Sequence, residues 1–302
     1  MCFIASVSDR PGRRWRGMIE GMPTGMARLT IETVDDVIER ALAREAATID
    51  LRSIRFVDPY VLLLLELLVL RAAEEGRRLR IEWPEAPSVR RWMAAMGFFA
   101  EIGEAAASAS SARNVRSALQ PIATIADEAG VGRVVEGFHL RLAERYPLTE
   151  SSRRALTAML IELFQNIPHH SNATGRVADP HGIAAMQDYE DSIFVAVADK
   201  GVGLRGSLGL RPGCEGISDS QAANAILRDG LSRFSDAGRG GELKRIVGVV
   251  RSWDGTFALR SGAALLYFDD RGGDIYDVPA FPGVQLAIRL PLRLFDAPTV
   301  DP

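Results

Sequence analysis

Residues 192–203 read SIFVAVADKGVG, and the fold turns on how that stretch is taken. SIFVAVA is a short, β-rich apolar run, the signature of a buried strand. It ends on a carboxylate, Asp199, and Gly201 and Gly203 then free the backbone from the usual steric limits. A carboxylate at a strand end followed by such glycines suits recognition of a flat base carrying an exocyclic amine. D-x-G-x-G alone is equally what a plain turn looks like, so its neighbours decide. Upstream lies ELFQNIPHHS (162–171), at the end of a helical pattern whose N-cap is Thr149. The spacing i, i+4, i+8 sets Glu162, Asn166 and His170 along one helical face, with Leu160, Ile161, Leu163 and Phe164 packing elsewhere. Downstream, Gly238-Arg239-Gly240-Gly241 stands immediately before another helix. Glycines opening a helix offer bare N–H groups and a positive dipole end to phosphate.

Composition narrows the classes. With 47% hydrophobic and 25% charged residues the chain has material for real cores. A net charge of −3 argues against a general nucleic-acid binder, which would need a basic face. All basic residues except Lys200 and Lys244 are arginine, which together with the many alanines reads as codon bias. Cys2 and Cys214 form neither a disulfide framework nor a metal spacing, as expected of a cytoplasmic protein. The longest apolar run, YVLLLLELLVL (60–70), contains Glu66 and falls well short of the roughly 20 residues that span a bilayer. No membrane segment and no secretion signal are expected.

Four segments follow. Met18, Met22 and Met26 recur just before the first regular pattern, so residues 1–25 are read as a tail with the natural start downstream. From 26 to 102 strands alternate with helices: ARLTIE, ATIDLRSIRFVD and RRLRIEWP as strands, VDDVIERALAREA, PYVLLLLELLVLRAAEEG and SVRRWMAAMGFFAEI as helices. Gly76 stops the second helix and a serine caps the third. Such alternation predicts an α/β unit with helices packed on a sheet. Residues 103–113, rich in alanine and serine, are read as a linker. From 114 to 302, helices come first (VGRVVEGFHLRLAERY, TESSRRALTAMLIELFQNI). Strands GIAAMQDYE and SIFVAVAD follow, then helices DSQAANAILRDGLSRF and GELKRIVGVVRSW. A hairpin-like TFALRSGAALLYF and a final strand GVQLAIRLPL complete an α+β sandwich.

In order, spacing and context the three motifs resemble the GHKL (Bergerat) ATP-binding fold of gyrase and the histidine kinases, over about residues 114–294. The pattern is also similar to the short ATPase and serine-kinase domains of anti-sigma factors. The resemblance implies a two-layer α+β sandwich holding Mg-ATP. Asp199 would accept the adenine amine, with Gly201 and Gly203 letting the backbone approach the base. Asn166 would offer its side-chain oxygen to Mg²⁺. Glu162 would be the catalytic base, orienting water or a protein hydroxyl. Gly238, Arg239, Gly240 and Gly241 would cradle the phosphates, and the stretch from Gly203 to Gly238 would be a lid ordered by nucleotide.

The pattern departs from those relatives at Gly241 and Glu242, where they carry Leu-Gly, and at Val284, where they often carry threonine. Glu242 at a helix start reads as a dipole partner. Pro168 is expected to kink or end its helix just after Asn166. His169 and His170 lack a third ligand at metal spacing and are expected to hydrogen-bond at the helix end. His139 reads as a partly exposed helix residue.

Residues 26–102 resemble a STAS domain through IDLRSIRFVDPYVLLLLELL, a strand, an aspartate and a helix. Pro59 and Tyr60 follow Asp58 where regulatory relatives carry a phosphorylated serine, so that switch is not carried over. Together the resemblances imply a cytoplasmic ATP-binding regulator, a homodimer with a STAS-like or sigma-regulatory protein as partner. Three activities stay open: serine/threonine kinase, conformational ATPase, and a non-enzymatic scaffold whose ATP site has decayed.

Overall fold

The structure, a computed structural model, describes residues 13–14, 27–42, 48–77, 79–102, 118–146, 149–171, 181–232 and 241–294. The expected linker lies outside these residues, as does the expected tail apart from Arg13 and Arg14. The first half carries β1 (Arg13–Arg14), β2 (Ala27–Leu29), α1 (Asp35–Leu42), β3 (Thr48–Asp50), β4 (Ile54–Val57), α2 (Pro59–Glu74), β5 (Arg80–Glu82), α3 (Pro87–Ala95) and α4 (Phe98–Glu101). The second half carries β6 (Ala118–Ile125), α5 (Glu128–Arg145), α6 (Glu150–His170), β7 (Gly182–Asp188), β8 (Ser192–Ala198) and α7 (Gly203–Leu208). It ends with α8 (Asp219–Asp229), α9 (Glu242–Ser252), β9 (Thr256–Asp269) and β10 (Gly272–Pro291).

The chain is mixed α/β around one antiparallel sheet of order β9-β10-β8-β7-β6, with β1 joining β10 in parallel at Tyr276 and Asp277. Both faces of the sheet are covered. Val195 and Val197 of β8 turn toward the core of α5 to α9, whereas Phe194, Ala196 and Ala198 turn toward α2. That double coverage explains why SIFVAVA is a continuous apolar run instead of an alternating one.

The first half therefore shares its core with the sheet: Leu62, Leu65 and Met93 belong to the same hydrophobic cluster as Ala185, Ala258 and Ala287. Alanines on this face let α2 lie close. Helix α2 is capped by Asp58, whose Oδ1 accepts the Val61 N–H at 2.8 Å while Oδ2 accepts the Ile31 N–H at 3.2 Å. Pro59 takes the first helical position, as expected, and Gly76 follows the helix end with φ +68°. Every residue from Pro59 to Leu68 is buried, the pattern of a helix enclosed on all sides.

Several local expectations need correction. The first-half strands do not make a sheet of their own but two parallel pairs, β2-β4 and β3-β5. ATIDLRSIRFVD is two strands, because the Asp50 carboxylate accepts the Arg52 N–H at 3.0 Å and turns the chain. Ala86, not a serine, precedes α3, and Gly97 (φ +83°) separates α3 from α4. The hairpin-like TFALRSGAALLYF lies within one strand, β9, and the hairpin turn falls at Asp270 and Arg271. β6 was hidden by Pro121, a residue that strands tolerate at sheet edges, where β6 sits. Among the described residues no helix is long and apolar enough to cross a membrane.

Arg260 joins the halves. Its side chain has no solvent exposure, and the guanidinium donates to Tyr60 Oη (3.2 Å), the Pro279 carbonyl (3.0 Å) and Asp35. Replacing it with alanine leaves these acceptors without their cation. Arg260→Ala should destabilise the fold by about 3–5 kcal/mol, read as a fall in the urea unfolding midpoint.

Candidate functional site

The loop after β8 is held by close approaches that only glycine permits. The Asp199 N–H donates to the Val284 carbonyl at 2.9 Å, and its Oδ1 accepts the Gly201 N–H at 2.7 Å. A Cβ on Gly201 would overlap the Ser171 carbonyl, and one on Gly283 (φ +77°) would overlap the Asp199 carbonyl. Gly203 (φ +70°) would place a Cβ 2.8 Å from Ser261 Oγ. The glycines thus fit loop against neighbouring chain, which is the role the structure gives them; their expected role was approach to a base.

Three polar residues not singled out from the sequence secure this packing. Ser171 accepts the Val202 N–H on its carbonyl at 2.8 Å. Ser261 Oγ accepts the Leu204 N–H at 2.9 Å and donates to the Gly283 carbonyl at 3.0 Å. Gln285 Nε2 donates to the Asp199 and Pro282 carbonyls at 3.1 and 2.7 Å. The signal available for Ser261 and Gln285 was a polar residue interrupting an otherwise apolar strand.

Beside this loop opens a cleft. Asn166, Asp199, Gly203 and Gly241 all line it, brought together from α6, the end of β8, the start of α7 and the start of α9. The walls are largely aliphatic, among them Leu163, Val197, Leu208 and Ile226. Asp199 is 6% exposed, and this burial pushes its carboxyl up to about 7. The Asn166 amide nitrogen donates to the Glu162 carbonyl at 2.7 Å, which leaves the amide oxygen as the group for a ligand. Gly241 (φ +80°) precedes α9, so Glu242 and Leu243 at the helix start also line the cleft.

Other predicted site residues fall elsewhere. Glu162 does not line the cleft; its Oε1 accepts from Arg245 Nη2 at 3.3 Å, and the same nitrogen lies 4.0 Å from Glu242. Gly201 supports the loop from behind. Gly238, Arg239 and Gly240 lie outside the described residues. Of the expected lid, residues 203–232 are folded into the core through Cys214, Ala222 and Leu227, and 233–240 lie outside the described residues. Pro168 does not end its helix: α6 runs on to His170, and the Ser171 N–H closes on the Ile167 carbonyl at 3.0 Å. His169 pairs with Glu128 at 3.1 Å near the end of α6, and His139 pairs with Thr157 at 3.2 Å. Thr149 caps α6 as expected, accepting the Ser152 N–H at 3.2 Å. Among the described residues no group of three or more His, Cys, Asp or Glu is placed to hold a metal ion.

No family model matches the chain, and no curated protein matches it.

The raised carboxyl has a consequence for stability. The unfolded chain loses the Asp199 proton near 4, whereas the folded chain keeps it to about 7. Folded protein therefore binds the extra proton between those values, and this residue's contribution to stability falls as pH rises through that window. Asp199→Asn removes the penalty. Its stability relative to wild type should grow from pH 4 to pH 7 by up to about 4 kcal/mol, measured by urea unfolding at each pH.

Proposed function

We propose that the chain is a cytoplasmic regulatory protein that binds Mg-ATP in a GHKL-type site and couples occupancy to protein–protein interaction. The STAS-like first half would dock a STAS or sigma-regulatory partner, and the protein would act as a homodimer. The observation that carries this reading is the convergence of Asn166, Asp199, Gly203 and Gly241 on one apolar cleft, from four segments spread over the second half. Each contributes what a nucleotide requires. Asp199, ionised, accepts an exocyclic amine, and the aliphatic walls cover the faces of a flat base. The Asn166 oxygen is a hard donor suited to Mg²⁺. The start of α9 presents backbone N–H groups to anionic oxygens.

When bound, Mg-ATP supplies a transferable phosphoryl group. What this chain does with it depends on Glu162, which lies outside the cleft lining and is engaged by Arg245. That placement favours nucleotide binding as the primary role, ahead of transfer to a serine or threonine of a partner or slow hydrolysis. A scaffold with a decayed site is the competing non-enzymatic reading, favoured by Glu242 on the cleft wall.

The test is a thermal melt of the whole chain with ATP, ADP and no nucleotide, each with and without Mg²⁺, beside Asp199→Asn. At 100 times its dissociation constant a ligand stabilises by about 2.7 kcal/mol, a shift of several degrees. A Mg-dependent shift in wild type that Asp199→Asn abolishes is the expected result. No shift with any nucleotide overturns the proposal in favour of the scaffold.

A further inference from the structure

The sheet face turned away from the cleft changes character beneath it. Farther along the strands this face carries Ala185 on β7, Ala196 and Ala198 on β8, and Ala258 and Ala287 on β9 and β10. At the cleft end the alternation places Arg260 and Gln285 on this side, and His181 and Lys200, just outside β7 and β8, also reach toward α2. Three of these four reach into the first half of the chain. His181 Nε2 lies 2.9 Å from Glu66, a carboxylate with no solvent exposure in the middle of the leucine-rich α2. Lys200, adjacent to Asp199, pairs with Glu74 in the last turn of α2. Arg260, adjacent to Ser261, binds Tyr60 of α2 and Asp35 of α1.

Each polar residue is one peptide unit from a group that shapes the cleft. His181 has φ +44°, and a Cβ on its neighbour Gly182 would overlap Ile167, which lines the cleft. Lys200 lies between Asp199 and Gly201. Ser261 holds both Leu204 and Gly283. Packing this close transmits displacement instead of absorbing it. A buried glutamate inside an apolar helix is a weak reason for stability, since replacing a whole buried pair by apolar residues is often neutral, whereas removing one member strands the other.

We propose that α2 is a built-in effector of the cleft: Glu66 and Glu74 act as positioning residues, holding the strand ends that carry the Asp199 loop and the cleft floor. Ligand affinity and the seating of α2 are then linked, and by reciprocity anything that docks on the first half and moves α2 alters ligand binding by the same factor. This inference rests on the nucleotide reading above.

The experiment measures Mg-ATP affinity by titration calorimetry, and the melting midpoint, on the whole chain. Wild type comes first, since a wild type that binds no ATP overturns the nucleotide reading and this inference with it. Glu66→Leu should melt lower, having stranded His181, and should bind ATP about five-fold or more weakly at temperatures well below its melt. Glu66→Gln, which keeps a partner for His181, should stay near wild type. Glu74→Lys and Lys200→Glu should each weaken binding, and the charge-swapped double variant should recover most of the loss. Wild-type affinity in Glu66→Leu, or a double variant no better than the weaker single, overturns the inference while leaving the nucleotide reading intact.

Discussion

A guanidinium sealed from solvent must bring its partners with it, and Arg260 does so across 200 or more residues of chain. Its strand, β9, belongs to the large sheet; its partners Tyr60 and Asp35 belong to the first half. Burying that charge without Asp35 and the two oxygens would cost more than the surrounding apolar contacts return. The first half is thereby fixed in one orientation on the sheet. The alanines of the same face then set how close α2 can come, and β8 acquires two buried faces. The apolar cluster that follows would tolerate many registers by itself; the ion pair selects one.

Much of this was legible in the sequence wherever local chemistry and tertiary context agree. Thr149 and Pro59 mark helix starts because such signals are settled within a few residues. The apolar run of α2 announced a helix, and the structure adds that it is enclosed on all sides. Legibility failed where a short-range hydrogen bond or a distant partner overrode the pattern. The Asp50 carboxylate splits what reads as one strand, and Pro121 hides an edge strand that only β7 makes sense of. Pro168 fails as a helix terminator because one missing N–H in a helix packed along its length is outweighed by Leu163, Phe164 and Ile167 in the core. The first half reads as an independent unit because a sequence pattern does not show which surfaces its apolar residues will meet.

The candidate site was legible in its contributing residues more than in their roles. Asn166, Asp199, Gly203 and Gly241 meet at one cleft, as the resemblance of their motifs implied. Glu162 does not reach it, since i, i+4 spacing specifies a helical face and says nothing about which neighbour, here Arg245, will claim a long side chain. Ser171, Ser261 and Gln285 carry no motif because their work is to hold backbone, and backbone acceptors are invisible in a string of letters.

The glycines at 201, 203 and 283 carry a lesson for reading divergent sequences. Chain packed against chain excludes side chains at these positions, whatever occupies the cleft. A lineage that lost its ligand would still keep them, because the loop would not close otherwise. D-x-G-x-G is therefore a mark of architecture that outlives activity. The history of ligand use would be written instead at Asn166 and Val284, which face the cleft and are free to drift once nothing binds there.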